Sequence, residues 1–166
     1  MTGTAVLSSA AMRSGRGGGT VICKGGSCKT GGSGSPASYA TADIRVEGAD
    51  LLVTSSEGGV IEGENSISLK DSTLDGHMNA VCKMGDRTMT EENVHIVMIY
   101  QSMSGDAEKG RSDFSMEGST LHSRAGDVIY VTNTDCNIKL KDTEITSDDA
   151  DGALLCGVGN RATRGR

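Results

Sequence analysis

Tryptophan is absent from this chain, phenylalanine occurs once, tyrosine three times and proline once in 166 residues. One domain of that length withdraws roughly 70% of its unfolded surface from water. With so few rings, the interior must be aliphatic and sulfur-rich, which suits a narrow stack of thin layers. Long hydrophobic runs are also missing: none approaches the roughly 18 residues of a bilayer-crossing helix, so membrane insertion is not expected. Thr2 to Met12 holds only Ala5-Val6-Leu7 and Ala10-Ala11-Met12, with no basic start before them, unlike a secretory signal. Positive charge is in deficit. A formal net charge of −6 speaks against nucleic acid, whose phosphates reward clustered lysine and arginine. The five cysteines are odd in number and contain no C-x-x-C pair, and they are read as buried thiols acting as small hydrophobes.

What the chain has is glycine, 24 residues of it, and a repeat. Cys136 to Ile145 reads apolar-x-apolar-x4-apolar at Ile138, Leu140 and Ile145. The same spacing recurs at Val21/Cys23/Cys28, Ile44/Val46/Leu51, Ile67/Leu69/Leu74 and Phe114/Met116/Leu121. Successive starts are 23, 23, 47 and 24 residues apart. Self-similarity at such a period marks a stacked-repeat architecture. The paired apolar positions alternate with period two, the sign of a strand with one face buried. A polar corner and a second short strand complete each unit, and leucine-rich repeats are excluded because no L-x-x-L-x-L strand or helical return is present. The fold class that follows is all-β: a parallel β-helix with turns of about 23 residues, rungs about 4.8 Å apart and three inner columns of stacked side chains, right-handed by the resemblance given below.

The double gap between Ile67 and Phe114 is read as one turn carrying two surface insertions, at 75–95 and 102–109, because a hidden rung near Thr90 would bury Glu92. A further ladder of short strands precedes the main pattern. Tyr39 and Glu62, 23 residues apart, are placed in it in one column with Tyr100, Tyr130 and Leu155. Glu62 turns that column outward, with Ile61, Ile99, Ile129 and Leu154 inside. Tyr39, Glu62, Tyr100 and Tyr130 then form a platform on which sugar rings can stack. The alternative is that the tyrosines close the coil with only their hydroxyls wet. Neither end carries a cap, so further β-helix turns of a longer protein are expected at both.

The acidic residues Asp106 and Glu108, and Asp148, Asp149 and Asp151, are the candidate metal ligands, since Ca²⁺ takes six to eight hard oxygens from loop carboxylates and carbonyls. A solvated acidic corner is the alternative, because the run after Asp148 lacks the bidentate glutamate of an EF-hand. His77, Cys82, Asp86 and His95 share the first insertion, but their spacing matches no compact zinc pattern. No G-x-S-x-G nucleophile elbow occurs.

The string Met98-Ile99-Tyr100-Gln101-Ser102-Met103-Ser104-Gly105-Asp106-Ala107-Glu108 is distinctive. With Gly32 to Pro36, Tyr39 to Ile44, Val60 to Gly63 and Tyr130 to Thr134, it resembles a family of exported bacterial right-handed parallel β-helix proteins labelled carbohydrate-binding or adhesin-like. The resemblance spans Val21 to Gly159. It implies a fold similar to that of polysaccharide lyases, a secreted or cell-surface location, a polysaccharide or cell-surface glycan as partner, and calcium in some members. The expected function is a non-catalytic carbohydrate-binding or adhesin-like module. A calcium-dependent lyase is the second expectation, with Lys83, Lys109 or Arg111 as base; a structural spacer stalk is the third.

Overall fold

The computed structural model describes residues 10–15, 18–78, 81–84, 87–90, 94–102 and 107–158, with 81–84, 87–90 and 158 described by their backbone alone. Each apolar pair forms a strand, and the next apolar residue forms a second strand after a two-residue turn. In the first coil these are β1 (Met12–Ser14), β2 (Thr20–Lys24) and β3 (Ser27–Thr30). The next coils are β4 (Ser38–Ala40), β5 (Asp43–Glu47) and β6 (Asp50–Val53), then β7 (Gly59–Glu62), β8 (Ser66–Lys70) and β9 (Thr73–Gly76). A hairpin follows, with β10 (Val81–Met84) antiparallel to β11 (Arg87–Thr90). The coil resumes as β12 (His95–Tyr100), β13 (Ser112–Glu117) and β14 (Thr120–Ser123), then β15 (Asp127–Thr132), β16 (Cys136–Lys141) and β17 (Glu144–Ser147), and ends in β18 (Leu155–Val158).

Strands at the same place in successive coils pair in parallel. Sheet A is β1-β4-β7-β12-β15-β18, sheet B is β2-β5-β8-β13-β16 and sheet C is β3-β6-β9-β14-β17. The chain is a parallel β-helix. Its inner columns run in the order that the repeat requires: Val21, Ile44, Ile67, Phe114, Ile138 and Cys23, Val46, Leu69, Met116, Leu140 in sheet B, and Cys28, Leu51, Leu74, Leu121, Ile145 in sheet C. Phe114, the one phenylalanine, is fully buried at the heart of this stack. Each such side chain contributes about 1.5–3 kcal/mol by leaving water.

The turn from sheet B to sheet C is the same in every coil. Its first residue is left-handed: Gly25 (φ 69°), Gly48 (63°), Asp71 (48°), Gly118 (57°) and Asp142 (50°). Glycine and aspartate are the residues that reach this region at least cost. The backbone N–H of Gly25, Gly48, Asp71 and Gly118 each donates to the carbonyl of the next coil, at 2.7–3.1 Å. Beside them hydroxyls interlock: Ser72 Oγ accepts from the Ala49 N–H, and Ser119 Oγ from the Ser72 N–H.

Three expectations need correcting. The first insertion is shorter than 75–95, because Asp75 belongs to β9 and His95 to β12. Cys23, Cys28 and Cys136 pack against the core as expected, but Cys156 pairs with Tyr130 in sheet A, off the inward columns. Tyr39 lies opposite Val60, Tyr100 opposite Glu62 and Tyr130 opposite Met98, so the four do not form one column.

Candidate functional site

The register of sheet A leaves its tyrosines on the outward side of the strands in two columns, Tyr39 in line with Tyr130 and Tyr100 with Glu62. There they are covered: Tyr39, Glu62 and Tyr130 are buried, Glu62 to 1% exposure, and Tyr100 is half-buried. Ala107 and Glu108, at the end of the second insertion, lie against the end of β7, where the Glu64 N–H donates to the Glu108 carbonyl (2.9 Å) and Ala107 is buried close to Gly63. An open stacking platform is therefore not what these residues build. Tyr39 and Tyr100 both donate to Glu62 Oε2, Tyr100 from 3.2 Å, and the two phenol oxygens are 3.1 Å apart. The Arg13 guanidinium sits 5.9 Å from the centre of the Tyr39 ring. Burial first, then the hydrogen bonds to Glu62 and Tyr100, push the Tyr39 phenol far above its ordinary value. Tyr130 stacks on His95 with ring centres 5.0 Å apart, and His95 Nε2 lies 3.8 Å from Glu57 Oε1. Two small polar clusters thus fill the covered face of sheet A.

The acidic corner after β17 is also engaged by the protein. Asp148 Oδ1 is 2.9 Å from His122 Nε2, and His122 Nδ1 is 3.1 Å from Asp75 Oδ1. Arg124 grips the same Asp75 with Nε and Nη2, at 2.8 and 2.6 Å. The two carboxylates lie on opposite sides of the imidazole, so they cannot share one ion with it. Arg124 above all, against a smaller opposing effect of burial, holds the Asp75 carboxyl below its usual range. Asp149 accepts from the Gly126 and Asp151 N–H groups, at 2.9 and 3.0 Å, which lowers its carboxyl in turn. Asp151 and Glu108 are exposed, and Asp106 lies outside the described residues. Among the described residues no three His, Cys, Asp or Glu side chains converge on a common metal position. Of the zinc set, the side chains of Cys82 and Asp86 lie outside the described residues.

Sheet B has the opposite character: its outer face is open and ordered. Three columns run up it, one residue per coil. They are Thr20/Asp43/Ser66/Asp113/Asn137, Ile22/Arg45/Ser68/Ser115/Lys139 and Lys24/Glu47/Lys70/Glu117/Lys141. The first is stitched by Ser66 donating to Asp43 (2.7 Å) and Asn137 to Asp113 (3.0 Å). The third alternates in sign, with ion pairs Lys24–Glu47 (3.2 Å) and Lys141–Glu117 (2.7 Å). Between the second and third lies a shallow groove of about 360 Å³ reaching from β5 to β16. Ser68 and Ser115 form its floor, and Lys70, Lys139 and Lys141 face Glu47 and Glu117 along it. Three cations against two carboxylates make it locally positive on a chain of net charge −6. Among the described residues Lys139 has no carboxylate within ion-pair distance. None of these residues stood out in the sequence, although their places follow from the inward neighbours Ile67, Leu69, Phe114 and Met116 by simple alternation.

Comparison with family models, with curated proteins and with solved structures finds no match to this chain.

Proposed function

We propose that this chain is a non-catalytic carbohydrate-binding module, holding a glycan against the outer face of sheet B. The observation that carries this is the groove across β5, β8, β13 and β16, in which hydroxyls, amines and carboxylates alternate at the rung spacing of the β-helix. A sugar's hydroxyls both donate and accept, and such a lattice offers both in a fixed array. Because β5, β8 and β13 are tied to neighbours on both sides, most of the array is preformed and little ordering cost falls on binding. Export to the cell surface is part of the proposal, and it is supported by the resemblance of the 98–108 string alone.

A glycan array probed with the chain, followed by titration calorimetry on the hits, tests the proposal. Ser115→Arg fills the groove from an outward position and is expected to weaken binding by at least about tenfold, the loss of roughly 1.4 kcal/mol. Tyr130→Phe, on the covered face of sheet A, leaves affinity unchanged. An array without hits, or full affinity in the Ser115 variant, overturns the assignment.

A further inference from the structure

Most charges on the outer face of sheet B already have a partner, and those that do not are all positive. Glu47 is paired with Lys24 (3.2 Å) and Glu117 with Lys141 (2.7 Å). Asp43 accepts from Ser66 (2.7 Å) and Asp113 from Asn137 (3.0 Å). Arg45, Lys70 and Lys139 are exposed, and among the described residues none of the three has a carboxylate within ion-pair distance. Lys70 stands next to Glu117 in its column, but Glu117 bonds Lys141 on the other side.

The pairing fixes where these cations stand. Lys139 on β16 shares a column with Arg45 on β5, three rungs away, and Ser115 and Ser68 fill the rungs between them. Lys70 on β8 belongs to the neighbouring column, two rungs from β16. With rungs about 4.8 Å apart and residues about 3.3 Å apart along a strand, the backbone positions of Lys70 and Lys139 are about 12 Å apart, and those of Arg45 and Lys139 about 14 Å. Such spacing selects among anions. A small anion meets one exposed cation at a time, and one exposed pair raises affinity by at most about fivefold. Each strand of a nucleic acid duplex carries a charge about every 3.4 Å, far denser than these cations, and the net charge of −6 repels the surplus. A linear glycan with an acid group on only some of its sugars spaces its charges widely, and its neutral sugars offer hydroxyls to Ser68 and Ser115 in between.

Resting on the reading of this groove as a glycan site, we propose that the glycan it takes is acidic: a linear polysaccharide with sparse ester sulfates or carboxylates. Lys70 and Lys139 hold the acid groups inside the groove, and Arg45, beside Val46, extends the row at its β5 end.

A glycan array in which each backbone appears neutral, sulfated and carboxylated, followed by calorimetry on matched forms, reads the proposal. At low ionic strength the acidic form of a bound backbone is expected to bind at least about fivefold tighter than its neutral parent, and this ratio falls as salt is added. The two acidic arms tell sulfate from carboxylate. Lys70→Gln combined with Lys139→Gln lowers the ratio to less than about twofold. Lys29→Gln combined with Lys109→Gln removes the same charge from exposed positions outside the groove and keeps the ratio. Far-UV circular dichroism shows both double variants folded. Equal binding of acidic and neutral forms overturns the acidic assignment and leaves glycan binding standing, whereas no binding to any backbone overturns both. A ratio lost equally in the two double variants also overturns the assignment, because the attraction then belongs to overall charge and not to Lys70 and Lys139.

Discussion

Removing the Tyr39 hydroxyl tests the covered face of sheet A more sharply than any other single change. The phenol is buried and donates to Glu62, itself 1% exposed, with Tyr100 as the second donor at 3.2 Å. In Tyr39→Phe the carboxylate keeps only that longer bond. Hydrogen bonds to charged groups are worth roughly 1.5–3 kcal/mol, so a loss of about 2 kcal/mol at pH 7 is expected. The pH dependence is more diagnostic. The folded phenol titrates far above the unfolded value of about 10, with burial as the main cause. A raised pKa means that the folded state holds the proton more tightly, so its stabilising contribution is intact below pH 10 and declines as pH rises further. The slope for one group is about 1.4 kcal/mol per pH unit. Wild type should therefore lose stability more steeply than Tyr39→Phe above pH 10, with that one-group slope as the upper limit, because the other groups largely cancel in the difference. Urea unfolding followed by circular dichroism across that range measures both curves. Parallel curves above pH 10, or a cost at neutral pH no larger than that of a surface substitution, refute the reasoning.

Phe114→Ala empties a fully buried position of the Val21/Ile44/Ile67/Phe114/Ile138 column and should cost about 3–5 kcal/mol in urea unfolding. At the corner between sheets B and C, Gly118→Val places a β-branched residue at φ 57° with its Cβ 2.5 Å from Asp71 Oδ1, and should lower stability by about 1–2 kcal/mol. Asp71→Gly, at φ 48° in the same column, should be neutral within about 0.5 kcal/mol by the same assay. Asp75→Asn removes a carboxyl that Arg124 holds below its usual range. Its contribution is present above about pH 4 and is lost as pH falls through the lower folded value. The urea midpoints of wild type and variant should therefore differ at pH 7 and converge as the pH is taken well below 4.

The sheet B and sheet C columns were legible in the sequence because each inward position meets its own equivalent one coil away. A period read along the chain is then the same thing as a stack in space, and Ile44, Ile67, Phe114 and Ile138 are neighbours by counting alone. Sheet A broke this rule for a definite reason. Seven residues, 31–37, lead into β4, whereas five, 54–58, lead into β7. The two-residue difference is made up by a longer β7 and a longer corner after it, so the 23-residue period survives while the pairing slips. An even slip keeps every side chain on its face but changes its partner. Tyr39 thus meets Val60 across the ladder and reaches Glu62 only diagonally, through its hydroxyl.

By itself the sequence determined the coil, its inner layers and its polar corners, since those depend on which side chains avoid water and which backbones tolerate a left-handed turn. Which outer faces stay open was decided in three dimensions. Whether Tyr39 and Tyr130 are covered while Ser68, Ser115 and Lys139 are not depends on the register of sheet A and on how the corners absorb their extra residues. Neither has a period to read, because a corner of variable length is set by the coils it joins and not by repetition of its own sequence.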